Sequence, residues 1–265
     1  MALSVEAQKH VEAIQSKISR ANKHISDFRL AASGFMKANP YGILVERDQN
    51  TRKRIYTVTK VTPIAPQIRL IAGDAIQNLR STLDYLAYGL VRANKTQPST
   101  RVCFPISKCE PFTKQQQTTF ARQVEGMTQD AIDAIQSIKP YKGGNDTLWQ
   151  LHSLNIIDKH RLLTAAATCV SLVNPKFQTG LRDYLIKGGT PPEPTSLMRD
   201  RFPLKAGDKF SFDCEKPDMD EDEQFLLEIA FNEPGVSEGE VILSVHKQSR
   251  RCVQEVIGNL ARFLY

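Results

Sequence analysis

The chain has 265 residues, of which 41% are hydrophobic and 24% charged, and a formal net charge of +6 at pH 7. These values allow a sizeable globular core. Five cysteines without a CxxC pair argue against a zinc ribbon and a disulfide scaffold. The basic excess, with a pI near 9.0, is compatible with a polyanionic partner but is not specific for one.

Neither a signal peptide nor a membrane span is predicted. The first residues, MALSVEAQKHVEA, lack an apolar signal core. The longest nearly apolar run, 162–173, is too short to cross a bilayer and contains Thr164 and Thr168. We therefore expect a reduced, cytoplasmic protein with no membrane contact.

Two long helices are predicted first. Over 4–35, apolar residues recur in two series spaced seven apart, which is typical of a helix packed on another helix. A second helix, from about Gln67 to Ala93, has a similar stripe and should pair with the first. The stripe consists of Ile76, Leu79, Leu83, Leu86 and Leu90.

Short elements connect and follow these helices. Apolar residues at 43–45 and 55–58 flank a polar stretch, which indicates an early hairpin within about 42–60. The segment 102–106, VCFPI, is an extended apolar piece. Short helices are expected within 111–124 and over 131–138, before Pro140.

The last third of the chain is predicted to be rich in strands. Strand-like segments lie at 169–173, 183–187, 210–212, 225–231 and 241–245, and a closing amphipathic helix begins near Lys247. The expected fold is α+β, with a helical bundle (1–167) beside an antiparallel β layer (168–265). The C-terminal helix should pack back on the bundle and make one compact unit.

The segment 148–166 reads as a helix buried on several sides, and Trp149 within it is expected in the core. The same apolar face carries polar side chains, which violates the usual pattern, and such violations concentrate at functional sites. That face holds His152, Asn155, Asp158 and Lys159, whereas His160 and Arg161 project to other sides.

Polar residues on the second helix could meet this segment. Arg80 and Asp84 are four residues apart and can pair along the helix, while Asp74 and Asn78 lie on a stripe roughly opposite the core. One interpretation is a structural network, for example Asp158 with Arg80. The other interpretation is a functional cleft surrounded by these polar residues. In the cleft, Arg80 and Lys159 would hold phosphate while His152 or His160 transfers protons.

Standard catalytic and cofactor motifs are absent from the sequence. There is no GxxxxGK[ST], GxGxxG, GxSxG or HExxH pattern. The alternating acids between Asp218 and Asp222 lack the glycine and glutamate of a calcium loop. We therefore expect neither a cofactor nor a metal.

Three segments carry a resemblance to known proteins: GDAIQNLRSTLDYLAYGL (73–90), CFPI (103–106), and PY followed by LWQLHSLNIIDKHRLL (140–163). They resemble a group of uncharacterised bacterial proteins with a GDxxxNLRSxLDxL helix, an FPI strand and a DKHR helix. The resemblance implies no reaction, but it draws attention to the matching polar positions. These are Asp74, Asn78, Arg80, Asp84, Asp158, Lys159, His160 and Arg161.

A fold-level analogy to helical HEPN ribonucleases also exists, but none of the five histidines follows an arginine at the spacing of their motif. The sequence therefore favours a non-catalytic binding or interaction module with a polar cluster between two bundle helices. The alternative is a metal-independent enzyme acting on RNA or another phosphodiester, of the toxin or defence type, using Arg80, Lys159 and His160. The sequence leaves the partner open, with RNA or a phosphate-bearing ligand as one candidate and a homodimer as another.

Overall fold

The computed structural model describes residues 5–50, 54–111, 113–173, 202–212 and 224–264. Within them the fold is α+β, as predicted. The helices are α1 (Val5–Lys37), α2 (Pro66–Ala93), α3 (Lys114–Gln123), α4 (Gln129–Ser137), α5 (Asp146–His160) and α6 (Ile242–Leu260), followed by a 3-10 turn (Ala261–Leu264). The strands are β1 (Tyr41–Arg47), β2 (Arg54–Val61), β3 (Ala165–Val173), β4 (Lys209–Phe212), β5 (Gln224–Glu233) and β6 (Ser237–Val241).

Helix α2 is the central element of the bundle. The five residues of its predicted stripe are each no more than 1% exposed, and they lie in one core with Ile14, Ala21 and Phe28 of α1. Helices α5 and α6 pack on the other sides of α2. The seven-residue spacing therefore predicted the α1–α2 pairing correctly.

Two three-stranded antiparallel sheets stand beside the bundle, in the orders β1-β2-β4 and β3-β5-β6. The predicted early hairpin forms β1 and β2, and β4 from the last third of the chain completes its sheet. A second, smaller core lies between the sheets and contains Tyr56, Val58, Ala167 and Leu204. The segment 183–187, predicted as a strand, and the alternating acids of 218–222 lie outside the described residues.

One predicted helix boundary and one predicted strand are wrong. The helix over 148–166 ends at His160, because Arg161 is extended (φ −159°, ψ 156°) and Ala165 already pairs with Phe231 of β5. The segment 241–245 is not a strand, because α6 begins at Ile242. Its buried residues recur at helical spacing, which a short apolar run viewed alone does not reveal.

The C-terminal helix closes the fold on the bundle, as expected. Val245, Val253, Val256 and Leu260 of α6 lie in the same core as the stripe of α2. No helix in the described parts of the chain combines the length and the apolarity needed to span a bilayer.

Candidate functional site

Helices α2 and α5 bring two groups of predicted site residues together. Near one end of the contact, Arg80 of α2 meets His152 of α5. Two helical turns away, Asp158 of α5 lies against Gly73 of α2. Residue numbers rise along α2 while they fall along α5, so the two helices run antiparallel through this contact.

The Arg80 cluster consists of Arg80, Asp84, His152 and the backbone of Phe104. Arg80 is only 5% exposed. Its guanidinium donates from Nη1 to Asp84 Oδ1 (2.6 Å), from Nε to His152 Nδ1 (3.2 Å) and from Nη2 to the Phe104 carbonyl (2.9 Å). The predicted pairing of Arg80 with Asp84 is therefore present, whereas the suggested pairing with Asp158 is not.

Asp84 also fixes the FPI segment. Its Oδ1 accepts the backbone N–H of Phe104 at 3.0 Å, so one carboxylate oxygen serves both the guanidinium and the loop. Phe104 is fully buried. Burial, with the nearby Asp84 charge, raises the pKa of the Cys103 thiol, which disfavours a reactive thiolate here.

His152 is held in its neutral form. Burial, with the positive charges of Arg80 and Lys159, lowers the pKa of His152 to about 4. Because Nδ1 accepts the Arg80 hydrogen bond, the proton of the neutral ring resides on Nε2. A ring with this pKa carries little charge near pH 7 and is a weak base.

The second contact is acidic. Gly73 has no side chain, and a Cβ at this position would overlap the carboxylate of Asp158. Burial, with the adjacent charge of Asp74, raises the pKa of Asp158. Asp74 is half exposed and lies 4.0 Å from His24 Nδ1 of α1, so α1, α2 and α5 all reach this point.

The two amide residues predicted for the site are placed differently. Asn155 is 3% exposed and lies on the core side of α5. Asn78 is half-buried, and its Nδ2 donates to the Asp74 carbonyl of its own helix at 2.8 Å. The amide of Asn78 is therefore engaged locally and does not bridge α2 to α5.

The DKHR segment does not act as one group. Asp158 is half-buried, but Lys159 and His160 are exposed. Arg161 instead binds Glu233 at the end of β5, with Nη1–Oε1 of 3.0 Å and Nη2–Oε2 of 2.5 Å. This bidentate pair joins the end of α5 to the second sheet and is a structural contact.

Sequence reasoning missed two buried groups. Glu233 is 1% exposed; burial alone would raise its pKa, but hydrogen bonds from Arg161 and Thr164 hold it below its usual value. His246 is 0% exposed and donates from Nε2 to the Ala72 carbonyl at 3.2 Å. His246 also follows the buried spacing of α6, so beginning that helix at Ile242 would have placed it inside.

The described residues hold no group of three or more histidine, cysteine or acidic side chains arranged to bind a metal ion. A groove of about 520 Å³ lies between α4 and α6, lined in part by Ile138, Cys252 and Val256. None of the predicted site residues lines it.

No protein-family model, curated protein or solved structure compared with the chain matches it.

Proposed function

We propose that this protein is a non-catalytic binding or interaction module, and that the Arg80 cluster ties its helices together. The observation that carries the proposal is that all three guanidinium nitrogens of Arg80 donate to internal acceptors. Its guanidinium is buried and bonded to a carboxylate, an imidazole and a backbone carbonyl. An arginine committed to three internal acceptors has little capacity left for a ligand phosphate.

The state of His152 supports the same conclusion. A general acid or base works best when its pKa is near the working pH, and burial lowers the pKa of His152 to about 4. The Nδ1 lone pair is already used by Arg80. The geometry thus favours a role for His152 as a hydrogen-bond acceptor that orients the guanidinium.

The second candidate remains the RNA- or phosphodiester-directed enzyme. The exposure of Lys159 and His160 at the end of α5 favours it, because both side chains can reach a substrate. The burial of Arg80 weighs against it, since the third residue of that mechanism must first leave its internal partners.

Turnover and stability separate the two candidates. Labelled single-stranded RNA, incubated with excess protein in the presence of a chelator, should remain intact. Arg80→Lys should weaken the fold by about 2 kcal/mol, because an ammonium cannot serve the three acceptors in the same geometry. RNA cleavage that is lost in a stable His160→Ala variant would refute the non-catalytic proposal and establish the enzyme.

A further inference from the structure

A second region of the molecule gathers exposed cations around α3. Arg101, Lys114 and Arg122 are all exposed. The backbone N–H of Cys103 donates to the Gln123 carbonyl at 3.2 Å, and Gln123 Nε2 lies 3.4 Å from Cys103 Sγ. This junction joins the segment that carries Arg101, two residues before Cys103, to the end of α3, which carries Arg122.

Two further junctions extend the same surface. Gln116 Nε2 lies 3.2 Å from Cys109 Sγ, so the loop that carries the exposed Lys108 adjoins the first turn of α3, which carries Lys114. Ser107 donates its backbone N–H to the Pro140 carbonyl at 3.0 Å and bridges to Tyr141. That contact adds two more exposed cations, Lys139 and Lys142. We call these six cations and α3 the basic face.

Few acids oppose these charges. Helix α3 contains no acidic residue. Among the acids nearby, Glu110 faces Tyr141, and its charge and hydrogen bond contribute, after burial, to raising the pKa of that phenol. Asp146 accepts the backbone N–H of Gly143 at 2.7 Å. The exposed Glu125 follows the end of α3 as a third acid. Against these three acids stand six cations, so the surface around α3 retains a positive excess.

Helix α3 is a surface element with no buried residue. A reciprocal capping box between Thr113 and Gln116 helps to hold its first turn. Phe120, which is half-buried against the main core, is the one large apolar side chain of this helix, so α3 gains little from burial. The helix instead offers hydrogen-bond donors to a ligand, on the exposed side chains of Lys114, Gln115, Gln117 and Arg122.

Aromatic groups border the basic face. Trp149, expected in the core, is half-buried, and the Lys142 ammonium lies 4.4 Å from its ring centroid. Tyr141 is also half-buried. Proteins that bind single-stranded nucleic acid combine two components. Cations contact the phosphate backbone, and aromatic rings stack on the bases.

Other polyanions fit less well. A membrane surface would favour large exposed apolar side chains that insert between headgroups. The large exposed hydrophobic residues of the described chain lie on other elements and not on α3 or its flanking loops. An acidic peptide would use the charges but gain little from the aromatic rings.

We propose that the basic face is a binding surface for single-stranded nucleic acid. This inference rests on the proposed function, because it names the partner class of a module that binds without cleaving. The phosphates contact the six cations, and unpaired bases stack near Tyr141 and Trp149. Recognition is largely independent of sequence, since it depends on charge and on the flat faces of the bases.

The test compares two variants with the same loss of charge. Arg101→Gln, Lys114→Gln and Arg122→Gln together remove three positive charges from the basic face. The control, Arg20→Gln, Arg29→Gln and Lys37→Gln, removes two arginines and one lysine from exposed positions of α1. Fluorescence anisotropy with a labelled oligouridylate of about 15 nucleotides measures Kd at several salt concentrations.

The wild type should bind, and its affinity should fall steeply with salt. The triple variant of the basic face should lose at least about tenfold in affinity and about 2 units of salt slope, while the control stays within about twofold. Equal weakening of both variants, no binding by the wild type, or equal competition by phosphatidylserine vesicles or polyglutamate would overturn the proposal. Cleavage of the oligonucleotide would instead refute the non-catalytic function, so the two failures are distinguishable.

Discussion

Acidification should destabilise this fold through the ring of His246. The ring is 0% exposed and lies edge-on to Phe28 and Phe231, with centroid distances of 5.5 and 6.2 Å. Its Nδ1 is buried without a hydrogen-bond partner in the described structure. Burial lowers the pKa of His246 to about 4, although the bond to the Ala72 carbonyl acts in the opposite direction.

The sign and size of the effect follow from proton linkage. The unfolded chain binds the proton near the ordinary histidine pKa of about 6.5, whereas the folded chain binds it only near 4. Between these values the unfolded state holds more protons, so stability decreases as the pH falls. The His246 contribution to this loss is about 2 kcal/mol at pH 5 and about 3 kcal/mol at pH 4.

Urea unfolding of the wild type and His246→Phe, at about pH 7.5 and at pH 5, measures this effect. Phenylalanine keeps a ring at the position but does not titrate. Groups such as Asp158 and Glu228, whose raised pKa values act in the opposite sense, remain in both proteins and cancel in the difference. The free energy of unfolding of the wild type should fall by about 2 kcal/mol more than that of the variant between these two pH values.

Val253→Ala is the control for general weakening, because Val253 is buried on the same helix and does not titrate. It should lower the free energy of unfolding by a similar amount at both pH values. Equal pH dependence in the wild type and His246→Phe would refute the reasoning, as would an NMR titration that places His246 near its ordinary pKa.

Three further changes test the contacts between elements. Asp84→Ala should destabilise the protein by about 3 kcal/mol, because it strands the buried Arg80 cation; Asp84→Asn, which keeps an acceptor oxygen, should cost clearly less in the same urea assay. Glu233→Gln should lower the free energy of unfolding by about 2 kcal/mol through the lost bidentate pair, and an unchanged melting temperature would count against that contact. Gly73→Ala should lower the free energy of unfolding by about 1–3 kcal/mol, because the new Cβ overlaps Asp158. Adding Asp158→Ala to the same chain should recover most of this loss. Strictly additive effects of the two substitutions would contradict the contact.

The long helices could be predicted because their signal is local and repeated. The stripe Ile76 to Leu90 needs only helical periodicity, and each of its members is buried. The prediction of a strand over 241–245 was wrong because a short apolar run fits a strand or a buried helix equally well. Only the continuation to Val253 and Leu260 at helical spacing distinguishes the two.

The candidate site could be predicted only in part, for a different reason. Spacing within one helix fixes which side chains are neighbours, so the Arg80–Asp84 pair was predictable. Spacing does not fix the register between two helices, so it could not predict which residues of α2 and α5 meet. In the structure Arg80 contacts His152, and Asp158 contacts Gly73 two turns away. The partner of Arg161, Glu233, is 72 residues distant and had no sequence signal.

The location of a cation decides whether it is available to a ligand. For Arg80 to hold a phosphate, it must leave Asp84, His152 and the Phe104 carbonyl, and breaking such a buried arrangement costs about 3–5 kcal/mol. A penalty of that size weakens binding by roughly two to four orders of magnitude. Exposed cations such as Lys114 and Arg122 break no such internal network when they meet a phosphate. The same anionic partner should therefore bind first at the basic face, even though the polar residues that stand out in the sequence lie between α2 and α5.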